Sequence, residues 1–551
     1  MQHKHAAQQE ELSKNPDDLK SLLYQGRCEI KKGQIDAAVR LFERAHELDG
    51  RSVEAALAYA LALCAQDRKL EAIRVLREVA SMDGSRPDMT YLLANILKDH
   101  GIETKSDRHV EEATKHYACL LQQRPDHAGA LNNLGICLLY LRKIGEAEGC
   151  FVRAISLDDN NPLYYNNLSI TARLQHLADH SVYCCRKALQ LRPDYPEACN
   201  NLGNALKDLN DLTGAVAAYR KAFSLKPDPD YQCNLAMAVL ATGDLRTGWE
   251  LYESRKASYA LKGAQPDLAP PQWLGEDAPG KTLLIHSEQG FGDTLQFCRY
   301  APLARARGLR VLLHVQKPLL RLLQSLPGVD RVLSDGPIEP FDLHCPMMSL
   351  PLAFGTDIAS IPSADAYLFA PREKVRHWRD KLSGISKRKI GIVWSGQTMR
   401  HSSDLEFTNM QRSMPAEFFE QLQDMDDVCL FSLQKGGPKA PDTLEAVDYM
   451  DQCEDFADTA ALVMNLDLVI TVDTAMAHLA GALGKPVWVL NRFSGCWRWL
   501  RNRTDSPWYP TLRLFTQTAP QDWQGVMNDV KNALEREILS PGTGENPAPA
   551  A

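Results

Sequence analysis

The sequence repeats itself every 34 residues across its first half, and this period constrains the fold more than any other feature. Two copies, which begin at Ala128 and Pro196, align without gaps. Each carries a glycine, an alanine, an aromatic residue and a second alanine at matching positions: Gly135, Ala147, Phe151 and Ala154 in one, and Gly203, Ala215, Tyr219 and Ala222 in the other. A period of this length predicts stacked units that bury a continuous core between neighbours.

The small and aromatic residues of the repeat indicate two closely packed helices in each copy. Alanine and glycine let antiparallel helices approach, and the aromatic ring fills the gap beside them. The spacing resembles that of tetratricopeptide repeats, and the same register finds about seven copies over residues 19–256. We therefore expect an N-terminal α-solenoid over 19–256, after a flexible N-terminus, 1–18.

Pairs of asparagines recur in the first helix of successive repeats. Asparagine is a middling helix former, so its recurrence calls for a reason. A column of carboxamides on the concave wall of a solenoid offers donors and acceptors to an extended acceptor peptide. Alternatively, one asparagine of each pair makes a hydrogen bond between repeats. The residues predicted to contact a peptide are Asn133, Asn167, Asn201 and Asn234.

A different pattern begins after Arg255, where a linker rich in proline and glycine, 257–280, marks a boundary. Beyond it, short β-rich runs alternate with helical patterns, which indicates parallel sheets with crossover helices. We predict strands at 282–286, 310–315, 389–394, 428–433, 468–472 and 487–490, with helices including 293–305, 416–423 and 474–483. Two lobes, 281–372 and 373–540, should precede a disordered tail, 541–551.

Candidate ligand-binding residues follow the predicted strands. Gly290 and Gly292 stand between the first strand and a helix that starts at Asp293, and ligands bind open parallel sheets outside the carboxyl ends of the strands. Asp473 and Thr474 lead into a helix whose N-terminus suits a diphosphate. The alternative interpretations are an ordinary N-cap for this pair and, for His478 on the same helix, a buried histidine with its hydrogen bonds satisfied.

A third cluster follows the strand that ends at Trp394. Ser395 and Gly396 begin a polar loop that reaches Arg412 and Ser413. Arg412 is a candidate for the fixed cation that balances a leaving diphosphate, although a loop arginine is more often merely solvated. The segment 493–510 packs three arginines and five aromatic residues, so it either walls a site or seals the two lobes.

The motifs GFGD, at 290–293, and DTAMAH, at 473–478, resemble the two signature loops of the ADP-heptose:lipopolysaccharide heptosyltransferase family. That family has a GT-B fold, in which two Rossmann-like lobes face each other, and usually has glycine where this chain has Ala475 and lysine where it has Arg412. Tetratricopeptide repeats joined to such lobes resemble the plan of protein O-GlcNAc transferases and of bacterial tetratricopeptide glycosyltransferases, including those that modify flagellin. The resemblance implies an α + α/β protein that transfers a sugar from a nucleotide donor to a protein hydroxyl, with inversion and without a metal or a resident cofactor.

The resemblance also implies roles for individual residues. Asp293 is the expected base for the acceptor hydroxyl, Asp473 holds sugar hydroxyls, and Arg412 and His478 steady the leaving group. Positioned proton transfer of this kind contributes about 10²- to 10⁴-fold. The catalytic pair implied is Asp293 and His478, and the donor-binding set is Gly292, Ser395, Gly396, Arg412, Ser413, Asp473, Thr474, Ala475 and Met476.

Charge and hydropathy exclude other classes of function. A net charge of −8 gives no positive field for a nucleic-acid backbone, and the absence of an 18-residue apolar run argues against a membrane span. The polar start of the chain indicates a cytoplasmic protein. Two alternatives to protein glycosylation stay open: an enzyme whose acceptor is a glycan or lipid-linked glycan, and a non-catalytic repeat scaffold with a degenerate GT-B module.

Overall fold

The computed structural model describes residues 18–83, 86–258, 268–363, 366–396 and 403–539. Most of the predicted flexible N-terminus, 1–18, and all of the tail, 541–551, lie outside these ranges, as does 259–267 of the linker. The chain forms two compact units, Met1–Asn201 and Leu202–Ala551.

Fourteen helices precede the first strand in the described ranges, as the predicted repeats require. In the first unit they are α1 (Leu19–Lys31), α2 (Ile35–Leu48), α3 (Val53–Ala65), α4 (Lys69–Asp83), α5 (Pro87–Glu103), α6 (Asp107–Gln123), α7 (Ala128–Tyr140), α8 (Ile144–Leu157), α9 (Pro162–Leu174) and α10 (Ala178–Leu191). Helix α11 (Pro196–Asp208) crosses the division between the units, and α12 (Leu212–Leu225), α13 (Pro229–Thr242) and α14 (Leu245–Tyr252) belong to the second. None of the described helices is long and apolar enough to cross a membrane.

The glycine and the aromatic residue of each repeat pack directly against each other. A Cβ added to Gly135 would lie 2.6 Å from the Phe151 ring, and one added to Gly203 would lie 2.6 Å from the Tyr219 ring. Real Cβ atoms essentially never come so close, so only glycine lets the first helix approach the ring of the second. The predicted role of these positions is confirmed.

The turn within each helix pair also repeats. It holds one residue with a left-handed backbone, which lets the chain reverse within a few residues. This residue is Gly33, Asp67, Lys105, Arg142, His176, Asn210 or Gly243, with φ between 55° and 92°.

The first parallel sheet has four strands in the order β3-β2-β1-β4. These are β1 (Thr282–His286), β2 (Arg310–His314), β3 (Arg331–Leu333) and β4 (Leu343–Pro346). The α-helices around them are α15 (Phe291–Phe297), α16 (Ala301–Ala306), α17 (Leu320–Leu323) and α18 (Leu350–Ala353). Helix α19 (Arg372–Leu382) follows and packs beside the second sheet, where Trp378 contacts Tyr449 and the Val375 carbonyl accepts from Asn465.

The second parallel sheet has six strands in the order β10-β9-β8-β5-β6-β7. Its strands are β5 (Arg388–Val393), β6 (Val428–Ser432), β7 (Ala446–Asp448), β8 (Leu468–Val472), β9 (Val487–Asn491) and β10 (Leu512–Thr516). The accompanying helices are α20 (Ser403–Arg412), α21 (Glu420–Gln423), α22 (Phe456–Val463), α23 (Ala475–Ala482) and α24 (Trp523–Leu539). All six predicted strands are present, and the predicted α/β region with parallel sheets is confirmed.

The last repeat helices share one hydrophobic core with the sheets. Trp249 of α14 meets Trp497 edge-on, with 5.2 Å between ring centroids, and also contacts Phe297 of α15. Leu240 of α13 and Tyr252 are buried in the same cluster. This continuity explains why the compact units divide within α11 and not at the linker that follows the repeats.

Candidate active site

Each sheet has a topological switch point, at which successive strands of the chain are added first on one side and then on the other. Strand β1 lies between β2 and β4, and β5 lies between β6 and β8. Crevices at the carboxyl ends of such strands are where open parallel sheets bind ligands. The predicted site residues follow β1, β5 and β8, so the fold places all three groups at switch points.

Asp293 is held in the first turn of α15. Its Oδ2 accepts a hydrogen bond of 2.9 Å from the Gly290 N–H, the N-cap of the helix, and its Oδ1 forms an ion pair with Arg498 Nη2. The Asp293 side chain keeps 21% of its surface exposed, so the carboxylate is anchored at one edge and accessible from another.

Arg498 has further contacts besides the aspartate. Its Nε donates to Gln296 Oε1 at 2.8 Å, and its guanidinium lies 4.3 Å from the Trp497 ring centroid. Burial opposes its charge, but the Asp293 carboxylate outweighs burial and raises the pKa of Arg498. The ion pair therefore fixes the position of the Asp293 carboxylate. Arg498 belongs to the segment 493–510, for which the sequence left two roles open: lining a site or sealing the two lobes.

Helices α15 and α23 pack against each other through Gly292. A Cβ added at Gly292 would lie 2.9 Å from Cδ2 of His478 and 3.5 Å from the Ala475 Cα. The GFGD and DTAMAH segments singled out in the sequence therefore meet, and the absence of a side chain at Gly292 is what permits the contact.

His478 is a buried ring in the described structure. Its Nδ1 is 2.9 Å from the Tyr509 hydroxyl, and the ring stacks on Trp499 at 5.4 Å between centroids. Burial, reinforced by Arg498, Arg299 and Arg412, lowers the pKa of His478 well below its usual value. A neutral imidazole offers hydrogen bonds but no fixed positive charge. His478 is therefore suited to steady a leaving group by a hydrogen bond and not by charge.

Thr474 is the N-cap of α23. Its hydroxyl accepts from the Met476 N–H at 3.3 Å and lies 3.0 Å from the Thr471 hydroxyl. Thr474 therefore has the ordinary N-cap role considered from the sequence. Of the three residues predicted to donate to a diphosphate, Thr474, Ala475 and Met476, the first and last already form a hydrogen bond with each other. Ala475 begins the helix beside them.

Arg412 lies between the ends of two neighbouring strands. Its Nη1 donates to the backbone carbonyl of Asp473 at 3.1 Å and its Nε to Asn409 Oδ1 at 3.1 Å. A Cβ at Gly396 would lie 2.5 Å from Arg412 Nη2, so the glycine leaves room for the guanidinium. The structure thus brings Arg412, Gly396 and Asp473 together, as the predicted donor site requires.

Ser395 and Ser413 close the loop that follows β5. Ser395 Oγ donates to Ser413 Oγ at 3.2 Å, and the Gly396 N–H donates to Ser413 Oγ at 3.3 Å. Gln434, which sequence reasoning missed, accepts from the Ser395 N–H at 3.1 Å and donates to the Ser395 carbonyl at 3.0 Å. Its place after β6, next to β5 in the sheet, was the available signal.

The asparagine column connects neighbouring repeats in the first unit. The Nδ2 groups of Asn133, Asn167 and Asn201 donate to the preceding repeat's Asn95, Asn132 and Asn166 at 2.9, 2.8 and 2.9 Å. The inter-repeat hydrogen bond considered from the sequence is therefore present. The donating asparagines are half-buried and Asn132 and Asn166 are buried, so peptide contact by the donating column stays a prediction, as it does for Asn234 on α13.

Family comparison identifies the helical class. Residues 34–138 match the TPR-S family, Tetratricopeptide Repeats-Sensor, and residues 196–229 match the TPR_8 family, Tetratricopeptide repeat. The chain therefore contains tetratricopeptide repeats, as the 34-residue period predicted. It is similar to Protein FlbA of Caulobacter vibrioides, with 28% identity over 327 residues. This similarity covers 54% of the present chain and 54% of FlbA, so the chain spans about half the length of that curated relative.

Solved structures match only part of the chain. YrrB, a tetratricopeptide repeat protein with an unusual peptide-binding site, is 16% identical, with 34% of this chain and 94% of YrrB covered and a TM-score of 0.30. PilF of Pseudomonas aeruginosa is 17% identical, with 39% and 95% covered and a TM-score of 0.34. Cut9–Hcn1 of the APC/C is 14% identical, with 43% and 45% covered and a TM-score of 0.37.

Proposed function

We propose that the protein is a glycosyltransferase with a two-lobed GT-B catalytic half, which transfers a sugar from a nucleotide donor to a serine or threonine hydroxyl of a protein recognised by the repeats. The observation that carries the proposal is the meeting of the α15 and α23 segments. It puts an anchored, partly exposed carboxylate, Asp293, on one sheet, and a helix N-terminus with Asp473 and Arg412 beside it on the other.

The proposed reaction needs one base and one anion site. The acceptor oxygen attacks the anomeric carbon of the sugar while the bond from that carbon to the phosphate oxygen breaks, and its electron pair leaves with the nucleotide. The hydroxyl proton passes to Asp293, whose carboxylate the Arg498 ion pair holds in position. Because Arg498 occupies Oδ1 and Gly290 occupies Oδ2, the acceptor hydroxyl approaches an oxygen that already accepts one hydrogen bond.

On the donor side, a cationic group stabilises the leaving phosphate and other polar groups form hydrogen bonds with the donor. Arg412 supplies the fixed positive charge that stabilises the leaving phosphate, and the N-terminus of α23 adds the favourable end of its dipole. Asp473 is placed to accept hydrogen bonds from sugar hydroxyls. His478 supports α23 and contributes a neutral hydrogen-bonding group.

On the acceptor side, tetratricopeptide repeats present helical surfaces that bind peptides or proteins. In the first unit, Asn167 and Asn201 each donate one N–H to the preceding repeat, and we assign their carboxamide oxygens to a peptide N–H. An acceptor recognised in this way is a polypeptide, which favours protein glycosylation over transfer to a glycan.

The test is transfer and donor cleavage by the full chain with a panel of nucleotide sugars, measured by nucleotide release and by intact mass of co-expressed proteins. The variants are Asp293→Asn and Asp473→Asn, with Asp335→Asn as control because the Asp335 side chain is 78% exposed. We expect Asp293→Asn to lower the transfer rate by at least about 10²-fold with little change in donor binding. Equal activity of Asp293→Asn and Asp335→Asn would remove Asp293 as the base, and the absence of donor binding across the panel would favour a scaffold.

A further inference from the structure

Most buried arginines described in the second unit pair with a carboxylate or donate several hydrogen bonds. Arg255 faces the Glu288 carboxylate and Arg498 faces Asp293. Arg299 has no carboxylate but donates to three backbone carbonyls and to the Tyr367 hydroxyl. This is the usual state of a buried guanidinium, since an unpaired buried charge is costly.

Two half-buried arginines, Arg492 and Arg501, do not follow this pattern. Arg492 donates from Nη1 to Gln411 Oε1 at 2.7 Å, and Arg501 donates from Nη1 to the carbonyl of its neighbour Leu500 at 3.4 Å. The Nε atom of each is buried without a hydrogen-bond partner. A buried polar atom left unsatisfied in this way calls for an explanation, such as an absent ligand.

The electrostatic surroundings agree with the geometry. Burial lowers the pKa of Arg501 to about 10, and Arg492 adds repulsion. Burial also lowers the pKa of Arg492; Asp473, Cys496 and Asp208 oppose that shift, and Arg412 adds to it. Arg492 is therefore the group that repels both Arg412 and Arg501.

The backbone holds Arg501 in place at a cost. Leu500 before it has φ 58° and ψ −163°, and Asn502 after it has φ 54°. A positive φ is unfavourable for a leucine, so this conformation persists only where the surrounding structure requires it. Leu500 is itself buried, which fixes the strained segment.

We propose that Arg492 and Arg501, together with Arg412, form a binding site for a phosphoryl anion. Arg492 donates to Gln411, the residue before Arg412, so it reaches the end of the helix that carries Arg412. A diphosphate presents enough oxygens to engage more than one guanidinium group, whereas a carboxylate presents two. The assignment rests on the proposed function only in naming the nucleotide donor as the source of the diphosphate. Arg492 and Arg501 are then the residues that set the affinity for the donor and stabilise the released nucleotide.

The test measures binding of inorganic pyrophosphate to the full chain by titration calorimetry, without any sugar donor. The variants are Arg492→Gln and Arg501→Gln, with Arg503→Gln as control because Arg503 lies in the same segment but already pairs with Asp505 at 2.7 Å. We expect each test variant to weaken binding by about tenfold to a hundredfold and the control to leave it unchanged. Unchanged affinity in both test variants would overturn the proposal.

Two further readouts separate binding from a structural role and phosphate from other anions. Removing an unpaired buried charge should leave the thermal midpoint of the unliganded variant unchanged or higher, while the shift that pyrophosphate induces in the native chain should shrink. A lower midpoint with unchanged pyrophosphate affinity would assign a structural role and overturn the site. Binding of glucuronate as tight as that of pyrophosphate would overturn the assignment to a phosphoryl group.

The outcomes also distinguish this site from the proposed enzyme activity. Pyrophosphate binding that depends on Arg492 and Arg501, without transfer from any donor, would support the anion site while the glycosyltransferase fails. Sugar transfer by Arg501→Gln and Arg492→Gln with the native KM for the donor would overturn the anion site while the glycosyltransferase stands.

Discussion

Replacing Arg255 with methionine should destabilise the second unit, because it leaves the carboxylates of Glu253 and Glu288 without the cation between them. Arg255 is 1% exposed and lies between two carboxylates, with hydrogen bonds of 2.7 Å to Glu288, 2.7 Å to Glu253 and 2.9 Å to Ser349 Oγ. Breaking a buried ion pair by removing one partner costs about 3 to 5 kcal/mol, and methionine preserves much of the packing volume. We expect Arg255→Met to lower the free energy of unfolding by that amount at pH 7.

The pH dependence identifies the cause. Burial alone would raise the pKa of Glu253, but Arg255 and Lys256 outweigh it and lower that pKa from 4.5 to about 2. A carboxyl group with a lowered pKa stabilises the native state above its unfolded pKa, and this stabilisation is lost as the pH falls through the folded pKa. Since the variant lacks the cation, its deficit relative to the native chain should be largest above about pH 4.5 and shrink below it.

Tryptophan fluorescence during urea unfolding measures this unit alone, because all nine tryptophans lie between Trp249 and Trp523. The control is Arg246→Met, since Arg246 pairs with Asp357 at the surface and its loss should change the midpoint little. A deficit below about 1 kcal/mol, or one equally large at pH 7 and pH 3.5, would refute the assignment to unpaired buried charge.

Three further predictions concern packing, repeats and pH. Gly292→Ala places a methyl group 2.9 Å from His478 and should cost about 1 to 3 kcal/mol in urea unfolding, whereas Gly384→Ala, with open space around it, should not; equal costs would contradict the close approach. Asn167→Ala removes a hydrogen bond between repeats and should cost about 1 kcal/mol in thermal melting followed by circular dichroism, and an unchanged melt would show the bond to be dispensable. Burial lowers the pKa of His286 to about 4, so the unfolded chain gains a proton first and stability falls between pH 6.5 and pH 4; His286→Leu should flatten that slope by up to about 1.4 kcal/mol per pH unit, and an unchanged slope would argue against His286 as its origin.

The helical half could be predicted from the sequence because its defining contacts join residues of the same repeat. In three repeats the glycine of the first helix meets the aromatic ring of the second, as Gly135 meets Phe151, so the spacing in the sequence encodes the contact itself. The buried strands β1, β5 and β8 were readable for a related reason, since each is a short continuous apolar run that ends in polar or glycine residues.

The strands that sequence reasoning missed lie toward the sheet edges. Strands β3 and β7 have three residues each, with exposed or half-buried side chains, so neither forms an apolar run. The candidate site was partly hidden for a different reason. The ion pair between Asp293 and Arg498 joins residues 205 positions apart, and no spacing rule connects them. Sequence reasoning found the aspartate through its strand-to-helix context and found the arginine only as one of several in a cluster.

The continuity between the last repeat helices and the sheets decides where this protein can be cut or recombined. A fragment that begins at the proline-rich linker would lose Trp249, Tyr252 and Arg255, and would expose the apolar surface that they cover while stranding Glu288. Chimeras that exchange the repeats of the first unit for those of another protein should therefore join before α12 and keep α13 and α14 with the sheets. Gain or loss of repeats before α12 leaves the core of the sheets intact, whereas the final repeat has to be inherited together with the sheets.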